Sequence, residues 1–179
     1  MIEYIMALLV FASGGQAPSQ SIAAATQCDA IEKVDFNNSE LSFGAKSLRF
    51  RDGKACTKEG EDSGPCDWEH VVTFDKVLIP EPGRAVRLMI INSNHLTGSG
   101  ASDHVLLFEC RNGRVVSVFN ESYLYGVTIE KLASTEFSLI SGEWLKNDQE
   151  CCPSRKKREV LRWDRKTGAF ILSKKTIHK

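Results

Sequence analysis

The feature that most constrains this chain is a pair of apolar runs, His104 to Cys110 and Arg114 to Phe119, joined through Arg111-Asn112-Gly113. Asn-Gly is the strongest short-range hairpin signal, because a tight two-residue turn needs positive φ at both central positions and these two residues tolerate it. The middle of the chain is thereby committed to antiparallel sheet, and the flanking sequence repeats the logic. Lys46 to Arg51 alternates Leu48 and Phe50 with charged residues and runs into Asp52-Gly53, a second two-residue turn signal from which Lys54-Ala55-Cys56 returns. Arg84 to Asn92 is too continuously apolar at its end for an edge strand and reads as buried.

Farther on, Thr135 to Leu145 reads as a strand, and Glu159 to Trp163 pairs with Ala169 to Leu172 around Asp164-Arg165-Lys166-Thr167-Gly168. The best helical candidate is only Cys28 to Val34, with Ile31 and Val34 on one face. Strands at hairpin spacing with no crossover helices predict an all-β fold, an antiparallel meander curled into a small barrel or a sandwich.

Compartment is read from the amino terminus and the cysteines. Ile5 to Ala12 is an apolar run followed by small and polar residues up to Ala25, which reads as a signal peptide and disordered leader over residues 1–25. The run holds about eight residues against the roughly 20 of a spanning helix, so no transmembrane anchor is expected. Gln27 before Cys28 departs from a lipid-attachment pattern. Six cysteines, Cys28, Cys56, Cys66, Cys110, Cys151 and Cys152, lie beyond the leader, and an even set in an exported chain reads as disulfides. Cys56 and Cys66 flank Gly60, Gly64 and Pro65 and are the expected pair. Adjacent Cys151 and Cys152 are expected to reach two distant partners, with Cys110 and Cys28 as plausible ones. The working domain is 28–179, single, β-rich, disulfide-braced, and periplasmic or secreted.

The formal net charge is zero, which argues against a nucleic-acid binder. The total nevertheless hides a gradient. Residues 155–179 hold ten Lys plus Arg and two acids, whereas residues 128–150 hold two bases and five acids. Arg155-Lys156-Lys157-Arg158 is the sharpest piece, a candidate anion patch or, more plainly, a solvated hairpin loop facing the acidic segment.

Candidate chemistry concentrates between Asn92 and His104, a polar, glycine-rich segment that reads as a long connection between two apolar strands. Asn94, His95, Asp103 and His104 are its candidate ligand-binding residues. A hydrolase would use His95 or His104 as general base oriented by Asp103, with Ser93, Ser99 or Ser102 as nucleophile, although no Gly-x-Ser-x-Gly elbow is present. A metal site would have to gather His70, His95 and His104 with Asp103 from scattered positions, and neither metal nor other cofactor is expected. The plainer reading is that Asn, Ser and Asp satisfy the backbone of the connection while its glycines supply positive φ. Glu69 and Glu143, each beside a Trp, form a weaker carboxylate pair. Tyr123 and Tyr125 flank Leu124 and could present two rings on one face of a strand.

The run from Gly142 to Phe170 carries Cys152-Pro153-Ser154, then Trp163-Asp164 ahead of Gly168-Ala169-Phe170. In this it resembles the closing segment of the mycobacterial LppP/LprE lipoproteins and similar periplasmic proteins. The resemblance covers about the last 40 residues and implies an exported, β-rich, disulfide-bearing module, with no catalytic residue to transfer. The expectation is a module that binds an unknown protein or small ligand rather than a catalyst, with the hydrolase as the competing class.

Overall fold

The computed structural model describes residues 23–43, 46–58, 66–96, 98, 100–149 and 152–178. Its strands are β1 (Ala23–Gln27), β2 (Glu40–Phe43), β3 (Lys46–Arg49), β4 (Lys54–Thr57), β5 (Trp68–Glu81), β6 (Arg84–His95), β7 (Ala101–Arg111), β8 (Arg114–Leu124), β9 (Val127–Ala133), β10 (Glu136–Glu143), β11 (Arg155–Asp164) and β12 (Ala169–His178). All of their pairings are antiparallel. Six strands form a curved half-barrel sheet in the order β1-β8-β7-β6-β5-β4, four form a meander in the order β12-β11-β10-β9, and β2 and β3 form a hairpin. The all-β expectation holds. The large sheet stays open, with β1 and β4 as its edges, and gains its cover by packing.

The reason lies in β6 and β7. Successive side chains of a strand face opposite sides of the sheet, so the unbroken runs Leu88 to Ile91 and Val105 to Phe108 need cover on both. Leu88, Ile90, Val105 and Leu107 pack with Phe137, Leu139, Leu161, Trp163 and Phe170 of the four-stranded sheet. Met89, Ile91, Leu106 and Phe108 pack on the other side with Ile31, Val34, Phe36, Leu41, Leu48 and Phe50 of the amino-terminal layer. The central sheet thus separates two cores.

Two devices fasten the amino-terminal layer. Cys28 and Cys110 form a disulfide, with Cα atoms 5.9 Å apart. Arg87 of β6 makes a two-pronged ion pair with Asp75 of β5, Nε to Oδ1 at 2.6 Å and Nη2 to Oδ2 at 2.5 Å. Its Nη1 donates to the carbonyls of Ile31 (3.3 Å) and Val34 (2.6 Å), and its guanidinium lies 5.0 Å over the Phe36 ring. The stretch with helical period, Cys28 to Val34, is held this way as a single 3-10 turn, Ile31–Lys33, with Ile31 and Val34 buried.

Both two-residue turns form as the residues demand, but the second does not close the expected hairpin: β3 pairs with β2 and β4 with β5, and only an isolated bridge joins Arg51 to Lys54 across the turn. Asn112 and Gly113 have φ of 52° and 74°, and Asp52 and Gly53 have φ of 50° and 77°. Cys56 and Cys66 are bonded, as expected. Cys28 and Cys110 satisfy one another, so they are not the distant partners expected for the Cys151-Cys152 pair. Cys152 is itself disulfide-bonded, and Cys151 lies outside the described residues, as do Met1 to Ile22 of the leader. The last three residues read as leader or its boundary, Ala23 to Ala25, belong to β1, which pairs with β8. Among the described residues no helix is long and apolar enough to cross a membrane.

Candidate functional site

The segment expected to be a long connection is mostly strand. β6 runs to His95 and β7 restarts at Ala101, so only residues 96–100 connect them. Strand alternation then sorts the polar residues onto two faces. Asn92, Asn94 and Asp103 continue the face that packs on the four-stranded sheet, while Ser93, His95, Ser102 and His104 continue the opposite one. Register sets Asn92 against Asp103, and Ser93 against Ser102.

Asp103 is buried, and both of its oxygens are engaged. Oδ1 accepts from Asn92 Nδ2 at 2.7 Å, and Oδ2 accepts from the backbone N–H of Val127 at 2.7 Å. Asn94 donates to Asn92 Oδ1 and extends the cluster. The Val127 amide opens β9, just after Tyr125 (φ 57°) and Gly126 (φ 105°) turn the chain out of β8. Asp103 therefore pins the corner at which the chain passes from one sheet to the other, capping an N–H that needs a partner. It reaches His104 through charge alone. Burial lowers the His104 pKa, and the Asp103 carboxylate offsets part of that lowering.

On the opposite face the histidines are bracketed by hydroxyls. His70 Nδ1 lies 2.7 Å from Ser93 Oγ, and its Nε2 lies 3.1 Å from Thr57 Oγ1. His104 Nδ1 lies 2.9 Å from Ser122 Oγ, and its Nε2 lies 3.3 Å from Ser102 Oγ. His95 meets the edge of the Trp68 ring, with centroids 4.9 Å apart. A Cβ on Gly98 would stand 2.8 Å from the His95 ring, and one on Gly100 would stand 3.0 Å from Trp68. Neither glycine has positive φ, so both are needed for close approach rather than for the turn conformation expected of them.

The chemistry of this row is hydrogen bonding. Ser93 is 2% exposed, which closes its hydroxyl to a substrate, and the second nitrogen of its His70 partner meets a threonine hydroxyl where a relay would place a carboxylate. Ser99 lies outside the described residues. His70, His95 and His104 share a face, but Asp103 is on the other; among the described residues no group of three or more His, Cys, Asp and Glu side chains could hold a metal.

The remaining predicted residues are scattered by the fold. Tyr123 is 6% exposed, its ring under Lys157 Nζ at 4.9 Å, and burial first, then the charges of Glu159 and Glu121, push its phenol pKa upward. Tyr125 is exposed beyond the strand end and packs on Trp144, centroids 5.3 Å apart. They do not form one platform. Glu69 and Glu143 stand on different sheets.

Arg155 to Arg158 lie within β11, not in a loop, and alternate between its faces. Lys157 turns inward to Glu159 at 2.9 Å, while Arg158 pairs with Glu130 across the outer face. Arg162 and Lys131 both bind Glu136. Lys157 and Arg158 of the basic run are thus engaged in ion pairs on this sheet, as is Arg162, so part of the charge gradient of the sequence is met by cross-strand pairing.

Sequence reasoning missed the opposite end of the large sheet. Glu109 is buried there between Arg84 and Arg111, and Arg84 also donates to the Gly168 carbonyl at 2.6 Å and lies 4.9 Å over the Trp163 ring. The available signal was a lone carboxylate at an inward position of the apolar run from Val105. Comparison of the chain with protein-family models, with curated proteins and with solved structures finds no match.

Proposed function

We propose that this protein is an exported binding module, periplasmic or secreted, which engages its partner through the polar and aromatic end of the large sheet and does not catalyse a reaction. The observation that carries the reading is the row of Trp68, His70, His95, Ser102, His104 and Ser122 on one face: hydrogen-bonding groups and rings on a rigid sheet, with the one carboxylate of the segment, Asp103, committed to the other. Such a face offers polar contacts and an aromatic edge without an activated nucleophile. Export is supported by the apolar leader, by two closed disulfides among the described residues, and by the resemblance of Gly142 to Phe170 to the LppP/LprE segment.

Two experiments test this. Thiol labelling of fractionated cells should find the protein oxidised outside the cytoplasm; a reduced cytoplasmic pool would overturn export. A photo-crosslinker at exposed Leu124, at this end of β8, should capture one discrete partner, and Trp68→Ala should abolish the capture. An adduct that persists in Trp68→Ala, or hydrolysis of a generic ester that depends on His104, would overturn the binding reading.

A further inference from the structure

One margin of the four-stranded sheet is β12, which pairs with β11 and with no other strand. At ten residues it is the longest of the outermost strands, against five in β1, four in β4 and seven in β9. Ile171, Leu172 and Ile177 along it are 45%, 53% and 48% exposed. Lys174 and Lys175 are exposed too, without an ion pair among the described residues, and the strand holds no acid. Lys156, exposed on β11 opposite His178, adds to the positive charge along this margin.

A strand with one unpaired side offers its amides and carbonyls to an extended segment, and side chains then decide which segment adds. β12 carries two devices by which sheets refuse their own kind, a bulge and a pair of lysines. The bulge, at Ser173, separates residues 169–172 from residues 174–178. The lysines act through charge. Pairing two copies of β12 antiparallel about Lys174 aligns Ile171 with Ile177 but sets the two Lys174 side chains opposite one another, and pairing about Lys175 does the same for that residue.

The lysines that reject a second copy suit an acidic strand. Within 174–178 successive side chains face opposite sides of the sheet, so Lys174 and Lys175 call for acids at two consecutive positions, one on each face. Aliphatic residues beyond those acids would cover Ile177 at one end and Ile171 and Leu172 at the other.

We infer that β12 is a docking edge for an extended acidic segment of a partner protein, which adds to the sheet as a fifth strand. The main chain of that segment bonds the free side of β12, its two neighbouring acids lie opposite Lys174 and Lys175, and its aliphatic residues cover the exposed Ile and Leu side chains. The edge belongs to the other sheet from the histidine row, and neither surface depends on the other.

The probe is a fluorescein-labelled, end-capped heptapeptide, Val-Thr-Glu-Glu-Thr-Val-Ile, titrated with the oxidised full chain and followed by anisotropy. It should bind at least about tenfold more tightly than the same peptide with lysine at both acidic positions. Strand addition spends only alternate peptide N–H groups on the neighbouring strand. Backbone N-methylation at the odd positions or at the even positions should therefore abolish binding in one case and spare it in the other. Lys174→Glu should weaken binding about fivefold, whereas Lys33→Glu, the same change of net charge in the amino-terminal layer, should change nothing. No binding up to about 1 mM, equal binding of the lysine peptide, equal loss from both methylated forms, or an effect of Lys33→Glu as large as that of Lys174→Glu would each overturn the assignment. A dimer of the chain alone that the peptide dissociates would give the edge to a second copy and overturn it as well.

Discussion

Replacing Arg87 with methionine keeps the length and apolar stem of the side chain and removes its charge. Arg87 and Asp75 are only 13% and 19% exposed, and their pairing uses two nitrogens and two oxygens. Removing one member of a buried pair costs about 3–5 kcal/mol, because the other charge is left desolvated and alone. Part of that is recovered here, since Asp75 can draw some water. Against this recovery stand the lost charged donor to the Ile31 and Val34 carbonyls and the lost contact over Phe36, the latter worth about 0.5–1 kcal/mol. The expected loss is roughly 4 kcal/mol, which for a chain of this size lowers Tm by about 8–16 °C.

Asp75→Asn should cost less, and the double variant should cost clearly less than the sum, because the second change relieves the isolated charge left by the first. Urea unfolding of the four proteins gives the cycle, and hydrogen exchange of residues 28–39 shows whether the amino-terminal layer opens before the sheets. Arg158→Met, in a more exposed pair with Glu130, is the control and should cost less than about 1 kcal/mol. If Arg87→Met costs no more than this control, or if the two changes add, Arg87 does not fasten the layer.

Gly168→Ala places a Cβ 2.2 Å from Arg84 Nη1 at a residue with φ of 60°; the backbone alone should cost about 1–2 kcal/mol, with more as Arg84 leaves Glu109, read as a Tm drop whose size shrinks when Arg84 is already alanine. His104 has its pKa lowered by burial, so below the ordinary histidine range the unfolded chain binds the extra proton first; stability should fall as pH drops from 7 through about 6.5 toward the folded pKa, and His104→Gln should flatten that slope in urea melts. Opening Cys28–Cys110 by a double Cys→Ala change releases a link 82 residues apart in sequence and should cost about 4–5 kcal/mol, against about 2–3 for Cys56–Cys66, both measured by urea unfolding; a reversed order would refute the loop-entropy account.

Strand chemistry was legible wherever it was local. Asn112-Gly113 and Asp52-Gly53 turned as their φ tolerance requires, and the doubly apolar stretch of β6 announced burial on both faces. β5 escaped notice although it is the longest strand, 14 residues. Its register shifts near Thr73 and Ile79 break the alternation by which a strand is recognised. The polar segment at 92–104 has the composition of a loop and the parity of a strand: Asn92 and Asn94 alternate with Ser93 and His95, and both faces are polar. Parity also decides the site. Asp103 and His104 are neighbours in sequence, so in a strand they must face apart. Arg155 to Arg158 looked concentrated for the same reason, and its partner Glu130 lies 28 residues away in sequence, beyond any local pattern. Glu109 with Arg84 and Arg111 needed the register of β6, β7 and the β11–β12 turn together.

Each of the two mapped disulfides ties a margin of the large sheet inward, to Cys110 of β7 or to Cys66 just ahead of β5. Cys28 immediately follows β1 and Cys56 lies within β4, the two outermost strands. An outermost strand exposes unpaired amides and carbonyls, a template on which a second chain can add. Oxidation therefore guards against aggregation as well as unfolding. A molecule that loses these bonds can keep its doubly covered centre and still shed a margin, and the ribbon then bared would recruit further copies by strand addition.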